Sequence, residues 1–476
     1  MILSDGAARG SPPRPLTTPL LECAAALARG DTRSEVLVRT ALDRATDAAG
    51  EGQRVFTRLY AESAPAFART ADLARTHQVV PSLLAGIPVS VKDLFDVRGE
   101  PTPAGSRILA AAAPCGADST VVARLRAAGA VIVGRTNMTE FAYSGIGLNP
   151  HYGTPLNPFQ RARVFEHGGR RAAGRAPGGS SSGAAVSVTD GMAVVAIGTD
   201  TGGSVRIPAA LCGIAGFKPT ARRVPRDGVF PLSWTLDSVG PLAATAACCA
   251  VADAVLAGEQ PIPLAAAGLR GARLGVIRDV LTEGLDPAVA AAFDSALRTL
   301  GRAGARIDDA ALPELRRLAQ INRNGGFPGA EALALHRERL ASRRDEFDRR
   351  VATRILVAEA MSAADYVELV RERAAMIRAF EERAAPFDAL LAPTVAVLAP
   401  PLAEVDGDDE AFRRVNGAIL RNPSTVNFVD GCALTLPCHR AGEAPVGLMI
   451  VGPAMSDRAI LRLGLSIERA LAGAPA

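Results

Sequence analysis

Ser182-Gly-Ala-Ala-Val-Ser-Val-Thr189 followed by Met192-Ala-Val-Val-Ala-Ile-Gly198 sets a short helix just before a short, wholly apolar strand. A strand that is apolar at every position belongs inside a sheet covered on both faces, and helix followed by buried strand is the rhythm of an α/β fold. The same alternation lies upstream, where Thr120 to Ala128 reads as a helix closed by Gly129 and Ala130-Val-Ile-Val-Gly134 as a strand. It returns at Leu274-Gly-Val-Ile277, with a helix from Pro287 to Ala303 behind it. Asp388-Ala-Leu-Leu-Ala-Pro-Thr394 and Val446-Gly-Leu-Met-Ile-Val-Gly452 read as late strands, and Arg458 to Leu471 as a closing helix.

Outward from this frame, Leu20 to Ala48 reads as helix with a break at Asp31-Thr32, and Val89 to Val97 has strand character after the turn residues Gly86 and Pro88. Glu331 to Ala385 is helical and charged, with runs such as Arg337-Glu-Arg339 that suit solvated helix faces. No repeat or linker divides the chain. The expectation is an α/β fold: one large domain at 17–476, its central mixed sheet covered by helices on both faces, after a disordered tail at 1–16 rich in Gly, Pro and Ser.

Composition narrows the function. The 476 residues are 48% hydrophobic and 21% charged, a soluble globular balance, and no apolar run reaches the roughly 18 residues of a membrane span. A net charge of +4 is too balanced to make nucleic acid or an anionic membrane the main partner. The seven cysteines contain no Cys-x-x-Cys and the five histidines form no metal-binding spacing, so neither a disulfide framework nor metal-assisted chemistry is expected. A cytoplasmic protein that needs no cofactor is the reading.

Only two of the 53 basic side chains are lysines, Lys92 and Lys218. Chance survival is the plain explanation of a lone lysine. The chemical one is that a buried lysine can lose its proton whereas arginine cannot, which suits a general base. Two glycine-serine runs, Pro177-Gly-Gly-Ser-Ser-Ser-Gly183 and Gly198-Thr-Asp-Thr-Gly-Gly-Ser204, could likewise be ordinary loops. The second, however, leaves an apolar strand and enters a likely helix start, where free N–H groups suit a developing oxyanion and Ser204 lies beside them as a nucleophile. No histidine occupies a segment suited to serve it as base, which turns attention to Lys92.

With Ala85-Gly-Ile-Pro-Val-Ser-Val-Lys-Asp93, Gly134-Arg-Thr-Asn-Met-Thr-Glu-Phe-Ala142, Asn157-Pro158 and Gly216-Phe-Lys-Pro-Thr220, these runs occur in an order that resembles the amidase signature family. The resemblance covers most of the chain from about residue 20. It implies Ser204 as nucleophile, Ser180 as bridging serine on a cis Gly179-Ser180 peptide, and Lys92 as base. It also implies an oxyanion hole of the Thr201, Gly202, Gly203 and Ser204 backbone N–H groups. Lys218 is structural on the same reading, and Ser181 orients the triad. Asp200 and Arg206 either bind substrate or form an internal ion pair that shapes the loop. Met138, Phe141, Tyr143 and Trp234 fall in segments able to line a substrate pocket, although each could equally be core.

The expected reaction is hydrolysis of a small-molecule amide to carboxylate plus ammonia or amine through a seryl acyl-enzyme. Carbamate or urea-derivative hydrolysis is one alternative, and the glutaminase subunit of a tRNA-dependent amidotransferase complex is another. No nucleic acid or membrane partner is expected, and a homodimer is left open. Phe159 to Ala176 departs from the family pattern as a basic insertion: a solvated loop, a lid over the site, or an oligomer contact.

Overall fold

Successive residues along the central strands pack into different apolar clusters, as a sheet buried on both faces requires. Val195 and Ile197 join Val121, Leu125, Val251 and Ile460, while Ala196 between them packs with Ala184, Val188 and Ala209. Leu448 and Ile450 share the first side, and Met449 and Val451 meet Leu369, Met376 and Phe380 on the other.

A computed structural model of the chain describes residues 18–473. Its strands are β1 (Phe56–Leu59), β2 (Pro88–Lys92), β3 (Val131–Thr136), β4 (Val164–His167), β5 (Arg170–Ala173), β6 (Val195–Asp200), β7 (Ala215–Lys218), β8 (Ser238–Ala243), β9 (Arg273–Ile277), β10 (Arg306–Ala310), β11 (Ala389–Pro393), β12 (Cys432–Pro437) and β13 (Gly447–Gly452). Eleven of them form one mixed sheet in the order β1-β3-β2-β6-β8-β7-β12-β13-β11-β9-β10, while β4 and β5 pair with each other. Strands β3, β2 and β6 run parallel, as do β11, β9 and β10, and the pairings from β6 across to β11 are antiparallel. Parallel neighbours need crossovers, supplied here by helices Thr120–Ala127 and Ser182–Thr189. The fold is thus the single α/β domain expected, with helices flanking a large mixed sheet; the tail at 1–16 lies outside the described residues.

Local differences from the sequence reading have backbone causes. The Leu20 to Ala48 stretch breaks where expected, into helices Leu20–Arg29 and Ser34–Thr46; the differences lie at strand ends. The expected strand from Met192 starts at Val195, because the N–H groups of Met192 and Ala193 both bond back to the Ser187 carbonyl and close the preceding helix. The strand from Val89 stops at Lys92, since the N–H groups of Leu94 and Phe95 both turn back onto the Lys92 carbonyl. The insertion holds a hairpin, β4 and β5, packed against the short helix Leu402–Val405. Arg163 and Arg175 stack on the Phe165 ring, 5.0 and 4.6 Å from its centroid, and Arg170 Nη1 donates to the Asp406 carbonyl at 2.6 Å.

Candidate active site

The carboxyl ends of parallel strands are where α/β sheets gather ligand-binding side chains. Lys92 ends β2, whose Val91 sits opposite Ile197 of β6. Alternation sends Val89 and Val91 to one face, and Ser90 to the other, where its hydroxyl lies 2.9 Å from that of Ser187. Lys92, fully buried, points to the side of Ser90. Its Nζ donates to Ser180 Oγ at 2.8 Å and to Thr199 Oγ1 at 2.9 Å. Burial lowers its pKa to about 7, against the opposing pull of the Asp237 and Asp200 charges.

Ser180 lies just before helix Ser182–Thr189, and the Gly179-Ser180 peptide is cis. The Ser180 carbonyl accepts from Thr139 N at 3.1 Å, and Ser181 N donates to the Ser204 carbonyl at 3.3 Å, which joins the two glycine-serine loops. Thr199, one residue of the second motif, was given no separate role by sequence reasoning, yet it is the second acceptor of Lys92.

The loop after β6 is built around Asp200. One carboxylate oxygen accepts from Gly203 N at 2.8 Å, Arg206 Nη2 at 2.8 Å and Asn427 Nδ2 at 3.0 Å; the other accepts from Val205 N at 3.2 Å and Arg206 Nε at 3.0 Å. Burial alone would push this carboxyl up, but the Arg206 charge and hydrogen bonds outweigh it and hold the group well below the usual carboxylate range. Asp200 and Arg206 are both wholly buried, an internal ion pair that shapes the loop. Gly203 has φ +121°, and an added Cβ would meet Ile207 Cδ1 and Pro423 Cγ at 2.6 Å, so glycine is required.

The bond from Gly203 corrects the sequence expectation for the oxyanion hole: its N–H is already occupied by Asp200. The N–H groups of Thr201, Gly202 and Ser204 have no such acceptor among the described residues. Asp237, which sequence reasoning did not single out, accepts from Thr201 Oγ1 at 2.5 Å and from the N–H groups of Leu232 and Ser233 at 3.0 and 3.1 Å. Burial raises its carboxyl to about 6. Lys218 Nζ instead bonds the Pro219 and Gly431 carbonyls, at 2.8 and 2.7 Å, and ties the end of β7 to the turn before β12.

Thr201, Gly202 and Ser204 form one wall of a cavity of about 650 Å³. Of the four residues read as candidate pocket walls, Tyr143 lines it. Met138 is wholly buried in the core, and Phe141 packs its ring 4.2 Å from that of His336 and 5.5 Å from that of Phe347. Trp234 is half exposed and is not among the lining residues. The pocket expectation is therefore corrected for these three, which sit behind or outside the cavity rather than on its wall. No residue of the insertion lines it either.

The Amidase family model matches residues 36–461. The chain is 38% identical over 410 residues to a 2-amino-5-chloromuconic acid deaminase of Comamonas testosteroni, covering 82% of this chain and 84% of that one. It is 34% identical to a glutamyl-tRNA(Gln) amidotransferase subunit of Chloroflexus aurantiacus, across 94% of this chain and 95% of that one. Among solved structures, an amidase superposes with TM-score 0.83 at 32% identity over 95% of this chain and 99% of its own. The native peptide amidase of Stenotrophomonas maltophilia does so with TM-score 0.77 at 26% identity over 97% and 98%. Sequence match, fold and the lysine-serine contact converge: the chain belongs to the amidase signature family and is an amidohydrolase of carbon–nitrogen amide bonds.

Proposed function

We propose that this enzyme hydrolyses the amide of a small-molecule substrate to a carboxylate plus ammonia or an amine through an acyl-enzyme on Ser204. The observation that carries the reading is the buried Lys92 Nζ in contact with Ser180 Oγ, in a protein whose Ser204 opens on the cavity. Neutral Lys92 takes a proton from Ser180 as Ser180 takes one from Ser204. The Ser204 oxygen then adds to the amide carbonyl. The N–H groups of Thr201, Gly202 and Ser204 hold the oxyanion, while Asp200 occupies the Gly203 N–H and fixes the loop. As the carbon–nitrogen bond breaks, Ser180 returns a proton to the leaving nitrogen. Water then attacks the ester, its proton passing back along the same relay, and frees the acid.

A second reading, ammonia supply within a tRNA-dependent amidotransferase, is favoured by the 34% identity to one component of such an enzyme. Against it, no Asp or Glu among the described residues lines the cavity to receive the ammonium group of free glutamine. The purified chain alone, assayed for ammonia or amine release on aliphatic, aryl and amino-acid amides and on carbamates, separates the readings. Turnover of simple amides without a partner supports the proposal. Glutamine hydrolysis that appears only with partner proteins and tRNA would transfer the chain to the second reading, and preferential carbamate turnover would change the substrate class.

A further inference from the structure

The cavity beside Ser204 has a one-sided charge. Its charged lining residues are Arg316, Arg323, Arg354 and Arg421, with no acid among them. Two are neutralised locally: Arg316 pairs with Glu283 at 2.8 Å and Asp279 at 3.3 Å, and Arg323 with Asp365 at 3.2 Å. The other two are not. Arg354 Nη1 donates to the Tyr143 carbonyl at 2.7 Å and its guanidinium lies 4.3 Å from the centroid of that tyrosine's ring, with no carboxylate among the described residues in contact.

Arg421 is the sharper case. It projects from helix Asp409–Phe428, whose Gly417, Leu420, Ser424 and Phe428 line the cavity at helical spacing. Its Nε donates to Asn422 Oδ1 at 3.1 Å, while its Nη2 is buried without an acceptor among the described residues. The acid whose charge reaches it, Glu283, is engaged by Arg316. Desolvation works against both guanidinium charges. Arginine cannot escape that cost by losing its proton, and its planar fork matches a carboxylate.

We infer that the substrate is an anion: it bears a carboxylate, remote from the amide that is cleaved, which Arg421 and Arg354 bind in this cavity. The inference rests on the amidase reading above and adds the substrate class to it. An ammonium-bearing substrate is the wrong match, because it would bring a third positive charge with no acid to meet it.

Matched substrate pairs test this. In one pair the carboxylate is on the acyl side, a monoamide of glutaric acid against its methyl ester; in the other it is on the amine side, N-acetylglycine against its methyl ester. Formation of the deamidated or deacylated product, followed by mass, keeps ester cleavage out of the readout. The wild type should favour the acid by about 100-fold or more in kcat/KM in at least one pair, and Arg421→Met should shrink that ratio by about tenfold, with Arg421→Lys between. Glutarate should inhibit the wild type competitively while pentane-1,5-diol does not, a comparison that needs no variant to fold. Equal turnover of acid and ester in both pairs, or inhibition by the diol as strong as by glutarate, overturns the anionic-substrate inference and leaves the amidase reading standing. No turnover of any amide would instead count against that reading.

Discussion

Lys92 Nζ lies 2.8 Å from Ser180 Oγ, and no carboxylate among the described residues comes within ion-pair distance of that nitrogen. A lysine held this way bonds hydroxyl acceptors and touches no counter-ion, so burial outweighs the more distant Asp237 and Asp200 charges and brings its proton equilibrium down to about 7.

The base must be neutral to accept a proton, so activity should rise with pH as Lys92 deprotonates, with an acidic limb near 7 in the kcat/KM profile. Lys92→Arg keeps the charge but stays protonated at any usable pH, and should lose about a thousandfold or more in kcat while melting as a folded protein. Turnover within about tenfold of wild type would place the base elsewhere.

Asp237 stands behind Thr201 and its charge favours the ammonium form of Lys92. Asp237→Asn removes that charge, so the acidic limb should move to lower pH. The variant should also lower kcat and, slightly, Tm: its amide keeps the Leu232 and Ser233 bonds only by turning its NH₂ toward Thr201 Oγ1, so the threonine loses its carboxylate acceptor and charge-assisted bonds become neutral ones. A limb that stays in place or moves to higher pH would separate Asp237 from the titration of Lys92.

How much of this was legible in the sequence depends on the range of the interaction. Helix Ser182–Thr189 and the strand behind it follow from local apolar pattern; Lys92 stands out by rare composition and Ser204 by its place after a strand, while Ser180 comes only with the family resemblance its run carries. The exact start of β6 was not legible, since it depends on two N–H groups returning to the Ser187 carbonyl. Met138 and Phe141 lie in the motif that ends just before Tyr143, yet the backbone turns at Phe141, with φ +50°, and sends its ring to His336 rather than to the cavity. Arg354 and Arg421 carry no linear signal among so many arginines; only the packing of helices Arg349–Leu356 and Asp409–Phe428 brings them to one cavity.

The hairpin of the insertion is tied to the Leu402–Val405 region and not to the cavity wall. Replacing residues 164–173 by a short turn should leave KM and kcat within about twofold across small and bulky amides. It should lower Tm slightly, through loss of the Arg170 bond and the packing around Phe165. A selective change for bulky substrates would restore a lid role.

The covalent step on Ser204 is tested most directly by labelling with a fluorophosphonate and mapping the adduct by peptide mass spectrometry. One adduct per chain, on the peptide that contains Gly203-Ser204, lost in Ser204→Ala and retained as the only site in wild type, is the expected result. An adduct on another residue, or undiminished labelling of Ser204→Ala, would contradict the assignment of Ser204 as the nucleophile.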